Sequence, residues 1–112
     1  MRYYVGEKTP DGRCQVLVLD RAVPGGGCPL DPRFDLRRHG DGFNFGHAGS
    51  GPAQLSLALL ADALGDDERA IRNYQDFKRR HVARWDGDRF EASAEDIRHI
   101  VAGLERDRER TR

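Results

Sequence analysis

A chain of 112 residues has the size of one domain with one modest core, and its 19 Lys and Arg against 19 Asp and Glu leave a formal charge of zero. Zero charge excludes the global cationic field that drives sequence-independent nucleic-acid binding, so such a role would need a local patch. The longest wholly apolar run, residues 57–61, falls far short of the roughly 20 residues of a membrane span, and the start carries no signal-peptide pattern, so a cytoplasmic protein with no membrane partner is expected.

Residues 2–7 and 13–20 are rich in β-branched, aromatic and aliphatic side chains, and Thr9-Pro10-Asp11-Gly12 between them is a turn signal. Pro presets φ there and Gly takes the positive-φ position, which predicts a β-hairpin. Residues 21–32 carry Pro24, Gly25, Gly26, Gly27, Pro29 and Pro32, a density of breakers that predicts a surface loop. Residues 34–38 and 43–45 are expected to add a third and a fourth short strand.

Three helices follow. Ser50 or Gly51 can cap the first, Pro52 sits in its first turn where a missing N–H costs nothing, and Gly65 offers a left-handed stop, so it should span residues 52–64. Only Gln54, Ser56 and Asp62 interrupt its apolar residues, which predicts the most buried helix. Asp66, Asp67 and Glu68 open the second and Lys78, Arg79, Arg80, His81 and Arg84 close it, the charge order that the helix dipole favours. Its apolar stripe reads Ala70, Ile71, Tyr74, Phe77, His81, Val82 and Trp85. Residues 89–91 follow as a short strand or extended segment, and Ser93-Ala-Glu-Asp96 is a capping-box variant for a third helix with Ile97, Ile100, Val101 and Leu104 inside. Residues 105–112 alternate acid and base, a charged tail that is either frayed or a helical extension. The fold class is therefore α+β: one domain over residues 1–104, with a small, mainly antiparallel sheet covered by about three C-terminal helices.

The most constrained stretch is residues 40–54, where five glycines, two phenylalanines and a histidine precede a proline-started helix. Backbone N–H groups, an aromatic surface and a helix N-terminus converge there. The candidate binding residues are Phe43, Phe45, Gly46, His47, Gly49, Ser50, Gly51 and Gln54, with amide donors facing a cavity and Phe45 or His47 as a stacking face. The competing reading is a tight crossover in which the glycines permit close packing and Gln54 ties the loop by a side-chain bond; Gly49→Val is expected to destabilise under either reading, and Gln54→Ala only under this one. The pattern is neither the Walker phosphate loop nor the dinucleotide fingerprint. Lys78, Arg79, Arg80 and Arg84 form the one local cationic patch, which equally completes the second helix's dipole.

Metal and catalytic chemistry have little to stand on. Cys14 and Cys28 lack a Cys-x-x-Cys partner and are expected as free thiols, and a site from Cys28, His39 and His47 would join three unrelated loop residues. Ser50, His47 and Asp62 have the residue types of an acyl-transfer triad without a nucleophile elbow. No cofactor, metal or catalytic residue is assigned.

The stretch Gly42-Phe-Asn-Phe-Gly-His-Ala-Gly-Ser-Gly-Pro-Ala-Gln-Leu-Ser-Leu-Ala-Leu-Leu60, followed by Tyr74-Gln-Asp-Phe-Lys78, resembles an uncharacterised family of bacterial and phage domains. Its members read about Gly-Phe-Glu-Trp-Gly-Tyr-Gly-Gly-Ser-Gly-Pro-Ala-Gln-Leu-Ala-Leu-Ala-Leu-Leu. Asn44 stands where that pattern has an acid, Phe45 where it has Trp, His47 where it has Tyr and Ala48 where it has Gly. The resemblance implies work in phage and host conflict and carries over no activity. The expected function is a small non-enzymatic binding protein, phage or mobile-element linked, acting by contact with a protein partner in a host defence complex. The alternative is a nucleotide or nucleic-acid module that uses the loop of residues 46–54.

Overall fold

The structure, a computed structural model, describes residues 1–23 and 25–110; Pro24 of the breaker-rich loop and the last two residues of the tail, Thr111 and Arg112, lie outside it. Strands β1 (Arg2–Lys8) and β2 (Cys14–Asp20) form the expected hairpin, in register from Arg2 opposite Asp20 to Lys8 opposite Cys14. The turn closes by Thr9 N to Arg13 O at 2.8 Å and Gly12 N to Thr9 O at 2.9 Å, with Gly12 at φ 85°. The sheet is completed by β3 (Cys28–Pro29) beside β2 and β4 (Arg89–Ser93) beside β1, antiparallel throughout in the order β3-β2-β1-β4.

Two strand expectations are corrected. Residues 34–38 form a turn: Arg33 sits at φ 59°, Leu36 N donates to Arg33 O at 3.0 Å, and the chain doubles back before it can extend. Phe43 makes a single bridge to Cys14, and residues 44–45 leave the sheet. The loop of residues 21–32 instead contributes β3.

Helix α1 (Ser50–Leu64) starts two residues earlier than predicted, with Gly49 at its N-cap and no side-chain cap; Gly65 ends it at φ 62°, donating to Ala61 O. Its residues 52–61 are all buried, as its apolar circumference required. Helix α2 (Asp67–Arg80) is capped by Asp66, which accepts from Arg69 N. It stops short of the predicted stripe's end: His81 leaves helical geometry, and a 3-10 turn over Val82–Arg84 returns Trp85 to the core. Helix α3 (Ala94–Arg110) begins under Ser93, whose Oγ accepts from Asp96 N at 3.0 Å.

Residues 105–110 are helical, anchored by polar pairs to α2. Arg69 donates twice to Glu105 at 2.7 and 3.1 Å, Asn73 donates to it at 3.2 Å, and Arg80 reaches Asp107 at 3.3 Å. The Arg69 hydrogen bonds, helped by Asn73, hold the Glu105 carboxyl below its ordinary range against an opposing desolvation. A folded-state pKa below the unfolded one, about 4.3, stabilises above the unfolded value and is lost as pH falls through the folded one. Glu105→Gln should therefore lower Tm by about 2–4 °C at pH 7, with the difference from wild type shrinking towards pH 3 in a thermal-melt series. A difference unchanged across that range would contradict the pairing.

The helices cover one sheet face, where Tyr4, Val16, Val18 and Phe90 are buried. The other face is bare: Tyr3, Val5, Leu17 and Leu19 point outward by the alternation of the pleat, and Leu17 is 42% exposed. Arg21 lies 4.9 Å from the Tyr3 ring centroid and pairs with Glu91 at 3.5 Å. Among the described residues no helix is long and apolar enough to cross a membrane.

Candidate functional site

The glycine-rich segment is held on three sides before it reaches α1. At its start the Phe43 to Cys14 bridge docks it on the end of β2. Phe45 is then driven inward, 0% exposed, with its ring centroid 5.2 Å from Phe90 and 6.3 Å from Trp85, and Lys8 Nζ 4.6 Å from it. Next, Gly46 adopts φ 84° and donates its N–H to Val82 O at 2.9 Å; an added Cβ would lie 2.9 Å from the Trp85 carbonyl oxygen. That contact is what a glycine permits here.

Gln54 sits one turn into α1 at 0% exposure and faces the preceding chain. Its Nε2 donates to Pro32 O at 2.6 Å and Arg37 O at 3.0 Å, and its Oε1 accepts from His39 N at 2.8 Å. A primary amide offers donors and an acceptor in one plane, so this one side chain closes the turn of residues 32–39. His39 Nε2 lies 2.8 Å from Tyr74 Oη and links the same turn to α2.

The predicted binding residues thus divide. Phe45, Gly46 and Gln54 are engaged by the protein's own packing and hydrogen bonds. Phe43, His47, Ser50 and Gly51 instead line an open groove of about 890 Å³, together with Asn44. The opposite wall is residues 9–15, the hairpin turn. Sequence reasoning missed that wall, because only the Phe43 to Cys14 bridge brings it there. Asn44, in the groove, accepts from Phe45 N at 2.9 Å through Oδ1.

Gly46 N and Phe45 N are occupied, whereas among the described residues no hydrogen bond is made to the amides of Ser50 or Gly51 at the uncapped start of α1. The charges around them are mixed. Arg13, 86% exposed, lies 3.7 Å from Asp11, and Arg38 donates to Asp41 at 2.5 Å. Cys14 is among the residues that line the groove; burial pushes its thiol up to about 11, so it stays a thiol at neutral pH.

The cost of crowding falls elsewhere than expected. Gly49 has an extended backbone, and an added Cβ would meet only the exposed His47 ring at 3.2 Å. At Gly51 the Cβ would lie 2.7 Å from Asn44 Cβ and 3.1 Å from its backbone N. Gly51→Val should destabilise by about 1–3 kcal/mol and Gly49→Val by under about 1 kcal/mol, read from urea midpoints; the reverse order would contradict this packing.

The other candidates come apart. Asp62 is engaged by Arg2 at 2.7 and 2.9 Å and by Tyr4 Oη at 2.5 Å, and a helical rise of twelve residues sets it about 18 Å from Ser50, so no triad forms. Burial, followed by the hydrogen bond to that carboxylate, pushes the Tyr4 phenol up. Cys14 and Cys28 are unpaired, and among the described residues no group of His, Cys, Asp and Glu is placed to hold a metal. In the cationic run, Arg79 pairs with Asp76 and Arg80 with Asp107. Burial, with Arg80 and Arg84 nearby, pulls the His81 pKa down, so His81 adds no charge at neutral pH.

No curated protein and no solved structure matches this chain. One family model does, over residues 4–103, which takes in most of the hairpin, the glycine-rich segment, the Gln54 tie, α1, α2 and the first ten residues of α3. The chain belongs to the family of unknown function DUF6166.

Proposed function

We propose that this is a small non-enzymatic binding protein of bacterial or phage setting, working in the cytoplasm by protein contact on a host defence complex. A loop of the partner is received between the hairpin turn and the start of α1. The observation that supports this reading is the lining of the groove: open, about half polar and of mixed charge, with Asp11 and Asp41 offsetting Arg13, and with the Ser50 and Gly51 amides as donors. A surface of donors, acceptors and both charge signs suits a polypeptide segment, whereas small-molecule sites are mostly apolar and enclosed. Two free thiols are at home in a reducing compartment.

The test uses a photo-crosslinking amino acid in place of His47 in the full chain expressed in a bacterial host. One discrete protein adduct is expected, lost when Gly42→Trp fills the groove. An added Cβ at Gly42 meets nothing within 4 Å, so that variant should keep its Tm. An adduct to nucleic acid, or a protein adduct indifferent to Gly42→Trp, would overturn the reading.

A second reading, a nucleotide or nucleic-acid end bound at the same place, draws on the uncapped start of α1 beside His47. A thermal shift with nucleotides or short oligonucleotides that His47→Ala and Ser50→Ala both remove would favour it.

A further inference from the structure

The two edges of the sheet are built differently. On one side β3 is two residues long and contains Pro29, which has no N–H to offer, so that edge is blunted. On the other, β4 has five residues, Arg89-Phe-Glu-Ala-Ser93, with neither proline nor glycine.

The hydrogen-bond alternation shows which groups of β4 face outward. Lys8 N donates to Asp88 O at 2.8 Å, so in the same antiparallel register Gly6 with Phe90 and Tyr4 with Ala92 are the pairs that exchange backbone hydrogen bonds. Arg89 and Glu91 therefore turn their N–H and C=O away from β1. Among the described residues no strand lies beyond them, and both are exposed.

We propose that this edge pairs with the same edge of a second copy, antiparallel about a two-fold axis at Phe90. What selects a second copy is charge complementarity at a backbone register that the free groups allow. With Phe90 opposite Phe90, Arg89 of each chain faces Glu91 of the other, and both residues carry outward-facing backbone groups. Each such pair closes two backbone hydrogen bonds and sets opposite charges across the strands, and the axis produces it twice. Within one chain Arg89 already lies 3.4 Å from Glu7 and 3.6 Å from Glu91, so the joined edge becomes an alternating row of charges. The result is a continuous eight-stranded sheet whose uncovered faces lie side by side. A ladder this short gives a weak dimer, governed by concentration.

Sedimentation velocity of the full chain, from about 1 μM to about 500 μM, tests it. Wild type should pass from monomer to dimer. Glu91→Pro removes an outward N–H at an edge that tolerates proline, and should be monomeric with an unchanged melt. Glu91→Arg and Arg89→Glu should each weaken self-association about tenfold, because like charges then face across the axis. An equimolar mixture of those two variants should associate at least as well as wild type, since the first presents only guanidinium groups at the two facing positions and the second only carboxylates. A wild type monomeric throughout, a dimer that survives Glu91→Pro, or a mixture that fails to associate would each overturn the proposal.

Discussion

Gln54→Ala should cost about 2–4 kcal/mol of stability, a large fraction of what a domain of this size possesses. The truncation strands three groups at once: the carbonyls of Pro32 and Arg37 and the amide of His39. A buried polar group without its partner loses its hydration and receives nothing back, so the penalty exceeds the worth of an average hydrogen bond. Gln54→Met separates the hydrogen bonds from the volume, because it fills nearly the same space without donors or an acceptor. Both variants should show lowered urea midpoints, with faster amide exchange confined first to residues 32–39, the turn that Gln54 closes. If Gln54→Met unfolds at the wild-type midpoint, the tie contributes nothing and the side chain is merely packed.

Phe45→Ala should cost about 3–5 kcal/mol. The ring is fully buried where the glycine-rich segment, the 3-10 turn and β4 meet, in edge-to-face contact with Phe90 and Trp85. These neighbours cannot close the gap. Phe90 is fixed over Gly6, where an added Cβ would lie 2.0 Å from its ring, and Trp85 is held by the turn whose Val82 carbonyl accepts from Gly46. Trp85 fluorescence during urea unfolding reads the same site, and it should shift in the native state of the variant as water enters the space. A loss below about 1 kcal/mol would mean that the segment relaxes freely and that the aromatic cluster is not what holds it.

These two residues mark where reading the chain works and where it stops. Both stood out in the sequence: a polar amide early in an apolar helix, and an aromatic among glycines. Either residue could as well have served a ligand as the fold. The choice was made by partners 15 to 45 positions away in sequence: His39, Arg37 and Pro32 for Gln54, Phe90 and Trp85 for Phe45. The same holds for the strands. Phe34 and Leu36 alternate as a strand would, yet Arg33 at positive φ and the capture of the Arg37 carbonyl fold that segment into a turn. Residues 28–29, inside a loop dense in breakers, became a strand because β2 had a free edge there.

What the chain determined by itself was everything governed by a few neighbouring residues. The Thr9 to Arg13 turn and its hairpin, the Asp66 and Ser93 caps, the Gly65 stop and the inward stripes of α2 and α3 are each specified by turn chemistry or periodicity within one or two turns of chain. Tertiary structure alone decided that the hairpin turn forms the second wall of the groove, that two of the candidate binding residues are buried ties, and that β4 rather than a central segment is left with an open edge. Local backbone preferences act over a few residues. The burial of a side chain and the pairing of an edge depend on which distant segment arrives, and that is settled only when the core closes.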